Sequence, residues 1–140
     1  MKKILFLLIS LSLFAKDGFN LSVNVDGLRN NNGEVIFSLY NKDGSLPDEN
    51  LKNYFKQKKG AITNNGSSVT FYNLAKGDYA VFMIDDENGN GKIDKGFLLP
   101  LEGVGLSNFD TINLLHKPNF KKASFVLDKD KYITIKPIYF

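Results

Sequence analysis

The sequence predicts an all-β protein folded as an antiparallel β-sandwich, and three observations carry that expectation. Apolar residues alternate with polar ones in run after run, each run is short, and turns rich in glycine and asparagine separate them. A period of two puts one face of each run in a core and the other in solvent. With no helices between the runs, neighbours pair in an antiparallel sandwich instead of building a parallel sheet.

The elements follow in order. Lys2 and Lys3 form a basic start, residues 4–14 are almost wholly apolar, and Ala15 precedes the polar Lys16-Asp17-Gly18. This is the pattern of a cleavable secretory signal peptide, too short to span a bilayer as a mature helix. The expected layout is a signal peptide over residues 1–15 and one periplasmic or secreted domain over residues 16–140. The first strand has Leu21, Val23 and Val25 alternating with Asn20, Ser22, Asn24 and Asp26. After the Asn32-Gly33 turn, Val35, Phe37 and Leu39 alternate with Ile36, Ser38 and Tyr40. Beyond Asp43-Gly44, residues Leu51, Tyr54 and Phe55 fall at helical spacing behind a capping Asp48. A short helix near 48–58, plugging an open edge of the sandwich, is expected there. Asn65-Gly66 leads into Val69 and Phe71, and Lys76-Gly77 into Ala80, Phe82 and Ile84 alternating with Tyr79, Val81 and Met83. Residues 96–120 make a connection longer than a hairpin loop. Its many apolar side chains (Phe97, Leu98, Leu99, Val104, Leu106, Phe109, Leu114, Leu115) predict that it folds back over the sheet. Ala123, Phe125 and Leu127, then Ile133 and Ile135, supply the last strands.

Composition narrows the function. The chain has no cysteine, which excludes a lipid-modified export signal and leaves packing or a bound ion to stabilise a domain outside the cytoplasm. Of 18 basic residues, Lys2 and Lys3 leave with the signal peptide, so the domain is close to neutral against 15 acidic ones. Its basic runs, Lys56-Gln57-Lys58-Lys59 and Lys121-Lys122, are short, which argues against nucleic acid as a partner. No second apolar stretch is long enough for a transmembrane segment in the mature chain.

The stretch Asp86-Glu87-Asn88-Gly89-Asn90-Gly91-Lys92-Ile93-Asp94 carries the strongest chemical signal. Side-chain oxygens recur at alternate positions, a glycine follows, and an acid closes the run, which is the ligand spacing of a calcium loop. Asp86, Asn88 and Asn90 would give side-chain oxygens, Lys92 its carbonyl, and Asp94 an oxygen directly or through water. Phe97 stands where a helix–loop–helix site keeps a bidentate glutamate, so the last ligand is expected from Glu102, with Asp85 second. So few carboxylates set an expected Kd of about 10⁻⁴ to 10⁻³ M for Ca²⁺. Asparagine–glycine pairs also make ordinary turns, as in Asn30-Asn31-Asn32-Gly33, but a turn alone needs neither the acids at both ends nor the regular alternation.

Other chemistries are weaker. Ser107, Asp110 and His116 are the sole conceivable nucleophilic set, all in one loop, with no oriented base on a rigid scaffold. The reading is therefore a non-enzymatic protein with no catalytic residues. Gly89-Asn90-Gly91-Lys92 lacks the glycine spacing and hydroxyl residue of a nucleotide loop. Zinc is disfavoured by a single histidine and no cysteine. The alternative is a metal-free glycan- or peptide-binding module of the cell envelope, using Tyr40, Tyr54, Tyr72, Tyr79 or Phe109, although the chain has no tryptophan. Pairing of a sheet edge with an unknown envelope or extracellular protein is a further possibility.

Two blocks carry a family resemblance. One runs Asn73-Leu74-Ala75-Lys76-Gly77-Asp78-Tyr79-Ala80-Val81 and continues through Asp85 to Asp94. The other is Pro100-Leu101-Glu102-Gly103-Val104-Gly105-Leu106-Ser107-Asn108, with Pro118, Phe120, Ala123 and Phe125 behind it. Together they resemble the bacterial family catalogued as domain of unknown function 2141. Asp85 stands where members often carry histidine, Leu98-Leu99-Pro100 where they have glycine-isoleucine-proline, and Leu106 where they have phenylalanine. The resemblance implies an exported β-sandwich similar to transthyretin-like, pre-albumin-like and immunoglobulin-like Greek-key modules, and no established activity.

Overall fold

The computed structural model describes residues 18–95, 100–113 and 117–140. The expected signal peptide, Phe97, Leu98, Leu99, Leu114, Leu115 and His116 lie outside them. The described residues form β1 (Phe19–Asp26), β2 (Glu34–Tyr40), β3 (Lys56–Ala61), β4 (Gly66–Leu74), β5 (Gly77–Asp86), β6 (Val104–Leu106), α1 (Phe120–Ala123), β7 (Phe125–Leu127) and β8 (Lys131–Ile135). Two sheets pack face to face, one ordered β4-β1-β8 and the other β3-β2-β5-β6, with β7 also paired to β5. The all-β sandwich expected from the alternation is present.

Between the sheets lies one apolar core. Leu21, Val23 and Val25 of β1 meet Val35, Phe37 and Leu39 of β2 and Tyr79, Val81 and Met83 of β5, with Phe71, Leu74, Leu127 and Ile135 around them. Apolar burial of this kind is the main stabilising force in a domain without disulfides. A second cluster, Tyr40, Leu46, Ala80, Leu106, Phe120 and Ala123, forms separately, with Phe82, Phe109 and Ile112 packed against it. Residues of the long connection after β5 thus fold back over the sheet, as their apolar content predicts. One consequence escapes a period-two reading: Ile36, Ser38 and Tyr40 of β2 are as buried as the core residues between them, because this strand is covered on both faces.

Two expectations are corrected. The first is the helix near 48–58. Asp48 does cap a turn, accepting the N–H groups of Lys52 at 3.0 Å and Asn53 at 2.8 Å. Leu51 then takes φ of +51°, and the N–H of Phe55 bonds the carbonyl of Leu39 at 2.7 Å. From Lys56 to Ala61 the chain is β3, paired antiparallel along β2. The unpaired edge of β2 offers more backbone hydrogen bonds than a two-turn helix, and lysines suit an exposed edge strand.

The second correction concerns strand direction. β8 runs parallel to β1, with Leu21 opposite Lys131 and Val25 opposite Ile135. Leu127, at the end of β7, lies opposite Gly77, at the end of the sandwich where Phe19 lies opposite Leu74. A strand leaving that end after a short turn must run the same way as β1.

Candidate metal centre

Register alone brings the two halves of the site together. Antiparallel pairing sets Ile84 opposite Val104, and the N–H of Asp85 donates to the carbonyl of Gly103 at 2.8 Å. Continuing that ladder by one step puts Glu102 level with Asp86. At the far side of the loop, the N–H of Leu101 donates to the carbonyl of Asp94 at 2.8 Å. Residues 86, 94 and 102 are therefore neighbours through backbone bonds.

Within the loop, buried Asp86 organises the turn. Its carboxylate accepts the N–H groups of Asn90 at 3.2 Å and Gly91 at 2.9 Å. Asn88 Oδ1 accepts from the N–H of Asn90 at 3.2 Å, and Asn90 Oδ1 from the N–H of Lys92 at 3.0 Å. These short side-chain-to-backbone bonds are what aspartate and asparagine make in tight turns. Gly91 has φ of +71° with open space around it, so the turn demands glycine for backbone conformation and not for room. Both side-chain amides, those of Asn88 and Asn90, donate to the Asp94 carboxylate at 2.7 Å.

Glu102 closes the arrangement from outside the loop. It is 5% exposed, and it accepts the N–H of Glu87 at 2.7 Å and that of Asp94 at 3.4 Å. Burial, with a side-chain hydrogen bond to Asp94, pushes its carboxyl up to about 7. Hydrogen bonds from Asn90, Glu102 and Asn88 hold Asp94 below the ordinary carboxylate range. Of the expected ligands, Asp86, Asn88, Asn90, Asp94 and Glu102 are thus linked in one hydrogen-bonded network, and Lys92 joins it through its N–H. No three His, Cys, Asp or Glu side chains among the described residues are grouped so as to hold a metal. The network's remaining oxygens are amide and backbone groups.

Asp85, considered as a further ligand, turns to the opposite side of the strand. Its Oδ2 accepts the Tyr139 hydroxyl at 2.7 Å, and its Oδ1 is buried without a hydrogen-bond partner. Burial raises the Asp85 carboxyl, against the Tyr139 hydrogen bond that lowers it. Arg29, the one arginine in the chain, completes this second cluster. Its backbone N–H donates to the Tyr139 hydroxyl at 3.0 Å, and its guanidinium lies 4.8 Å from that ring's centroid. It grips Glu87 with two bonds, of 2.5 and 3.0 Å, and donates to the Leu101 carbonyl at 3.1 Å. That ion pair holds Glu87 below its ordinary range. A Cβ on Gly103 would lie 2.5 Å from the Tyr139 ring, so glycine is needed for this close approach. Arg29 and Tyr139 escape sequence reasoning because both are far from the loop along the chain. A lone arginine among lysines is the only hint.

The other sequence candidates divide. Ser107 is buried, and its hydroxyl accepts the N–H of Val81 at 3.0 Å while donating to the Ala123 carbonyl at 2.6 Å. That is a structural tie between β5 and the last residue of α1. Among the aromatic candidates, Tyr40 and Tyr79 are core residues, whereas Tyr54 and Tyr72 are exposed. The described residues contain no helix long and apolar enough to cross a membrane. The sequence model of a bacterial family, described as an uncharacterized protein conserved in bacteria (DUF2141), matches residues 23–136. Neither a curated protein nor a solved structure matches the chain.

Proposed function

This chain belongs to the DUF2141 family, and from that starting point we propose that it is an exported, non-enzymatic β-sandwich stabilised by a calcium ion in its 86–94 loop. The observation that carries the reading is Glu102. A carboxylate 5% exposed and set beside Asp94 is costly without a compensating cation. N–H groups on both flanks of the loop, Glu87 and Asp94, hold it in place. The donor set is all oxygen, which suits a hard cation such as Ca²⁺. Asn88 and Asn90 would contribute by turning their amide oxygens, instead of their N–H groups, towards the space beside Asp94. Asp86 and the Lys92 carbonyl would complete the set. The Arg29–Glu87 pair braces the loop's second residue from behind, so binding would fasten residues 86–94 to residues 100–103.

Export rests on the basic start, apolar run and Ala15 of the N-terminal sequence. Outside the cytoplasm, a Kd of about 10⁻⁴ to 10⁻³ M is within the range of extracellular calcium modules. At about 10 mM calcium that affinity stabilises the fold by about 1.4–2.7 kcal/mol. For a domain of this size the melting temperature should rise by about 5–10 °C. The experiment is thermal unfolding in calcium and then in excess chelator. The rise should reverse with chelator and vanish in the double variant Asp86→Ala, Asp94→Ala. No rise in the unmutated protein, or an equal rise in the double variant, rejects the proposal.

A further inference from the structure

We propose a second site, unrelated to the calcium loop: the outer face of the β4-β1-β8 sheet binds a pyranose oligosaccharide stacked on Tyr72 and Tyr132. Because Leu21, Val23 and Val25 are buried, the alternation turns Asn20, Ser22 and Asn24 of β1 outward. Ser22 lies opposite Thr70 of β4 on one side and Tyr132 of β8 on the other. Tyr72 is two residues further along β4, near Asn20, whose side chain accepts the N–H of Asn73 at 3.1 Å. The two tyrosines therefore stand diagonally across β1, on strands about 10 Å apart.

They are the most exposed aromatic side chains among the described residues, at 62% and 65%. A shallow groove of about 470 Å³ runs between them, with Asn20, Ser22, Thr70 and Asp130 in its wall. Exposed aromatics on a sheet usually pack as cross-strand pairs, but β1 separates these two. The Tyr72 ring is already held: the Lys58 ammonium lies 4.9 Å from its centroid and is anchored by donating to the Thr70 carbonyl. A platform ordered before binding loses less entropy on association.

The floor decides the ligand class. Ser22 Oγ and Thr70 Oγ1 share a hydrogen bond of 2.9 Å, which leaves one hydroxyl hydrogen and several lone pairs for a ligand. Hydroxyls and amides between two apolar rings complement a molecule with C–H faces and hydroxyl edges, which is a sugar chain. A protein partner needs an apolar centre, and the groove's wall has no aliphatic side chain. Nucleic acid needs a strongly basic surface, and two lysines, Lys58 and Lys131, one of them offset by Asp130, do not make one.

The test uses cellohexaose, maltohexaose and chitohexaose, titrated into the purified protein with chelator present, so that it is independent of the calcium reading. Backbone amide shifts and tyrosine fluorescence report binding, the latter undisturbed because the chain has no tryptophan. One sugar or more should saturate with a Kd of about 1 mM or tighter, moving resonances of β1, β4 and β8. Tyr72→Ala and Tyr132→Ala should each weaken binding by up to about tenfold, with the melting temperature nearly unchanged because both rings are exposed. The proposal is overturned if none of the three sugars moves those resonances, if the perturbed residues lie elsewhere, or if both variants bind like the unmutated protein.

Discussion

Replacing Glu102 with glutamine should have opposite effects with and without calcium. In chelator, the buried carboxyl is held near 7, against an ordinary 4.5. Below pH 4.5 it carries its proton whether the chain is folded or not. Between 4.5 and 7 only the folded chain keeps the proton, so folding loses stability as pH rises, and above 7 the loss is complete. At about 1.4 kcal/mol per pH unit, the unmutated protein at pH 8 is about 3 kcal/mol below its acid-side stability on account of this group. Glutamine resembles the protonated form. Its oxygen can accept the Glu87 N–H, now bonded at 2.7 Å, and its amide can donate to Asp94. Only the longer 3.4 Å bond from the Asp94 N–H is lost, a cost of about 1 kcal/mol. Glu102→Gln in chelator at pH 8 should therefore be more stable by about 2 kcal/mol, about 8 °C in melting temperature. At pH 5 the gain should nearly disappear. In about 10 mM calcium at pH 8 the order should reverse or close, since the variant lacks a charged ligand. The assay is urea unfolding at both pH values with chelator and with calcium. A variant less stable than the unmutated protein in chelator at pH 8, or a difference that does not change with pH, would refute the argument.

Two further substitutions test the surrounding structure. Tyr139→Phe removes the hydroxyl that serves Asp85 at 2.7 Å and the Arg29 N–H at 3.0 Å, leaving a buried carboxylate unsatisfied. It should destabilise by about 1–3 kcal/mol in denaturant unfolding, and a change below about 0.5 kcal/mol would show that the cluster does not brace the loop. Ser107→Ala strips two buried backbone groups, the Val81 N–H and Ala123 carbonyl, of their partner. A loss of about 2–4 kcal/mol is expected; unchanged stability would leave its hydroxyl free for a chemical role.

The architecture was largely legible because its cause is local. Alternation at 21, 23 and 25 and at 35, 37 and 39 states which face is apolar, and short turns then dictate neighbouring strands. At 79 to 84, however, every residue is apolar, and Tyr79, Val81 and Met83 rather than Ala80, Phe82 and Ile84 enter the core between the sheets. The long connection's apolar content likewise announced that it would cover a sheet. What alternation missed is the burial of Ile36, Ser38 and Tyr40, since a second covering layer is invisible to a count of one face. The loop was legible for a related reason. The 86, 88, 90, 91, 94 spacing encodes a bend whose hydrogen bonds span at most a few residues, so no distant contact is needed to form it.

Sequence by itself thus determined the inner faces of β1 and β2 and the shape of the loop, because these follow from bonds and sterics between near neighbours. The inner face of β5, apolar throughout 79–84, was decided by the packing of the sheets. Only the tertiary structure made residues 56–61 a strand, since the open edge of β2 outweighed a weak helical spacing. It also sent β8 parallel to β1, by deciding at which end of the sandwich β7 stops. Glu102 could be named in advance, but its place between Glu87 and Asp94 came from the β5–β6 register. The Arg29–Asp85–Tyr139 cluster came wholly from the fold, because its members are 110 residues apart at the extreme. Such contacts are set by how sheets stack, and no periodicity in the chain records them.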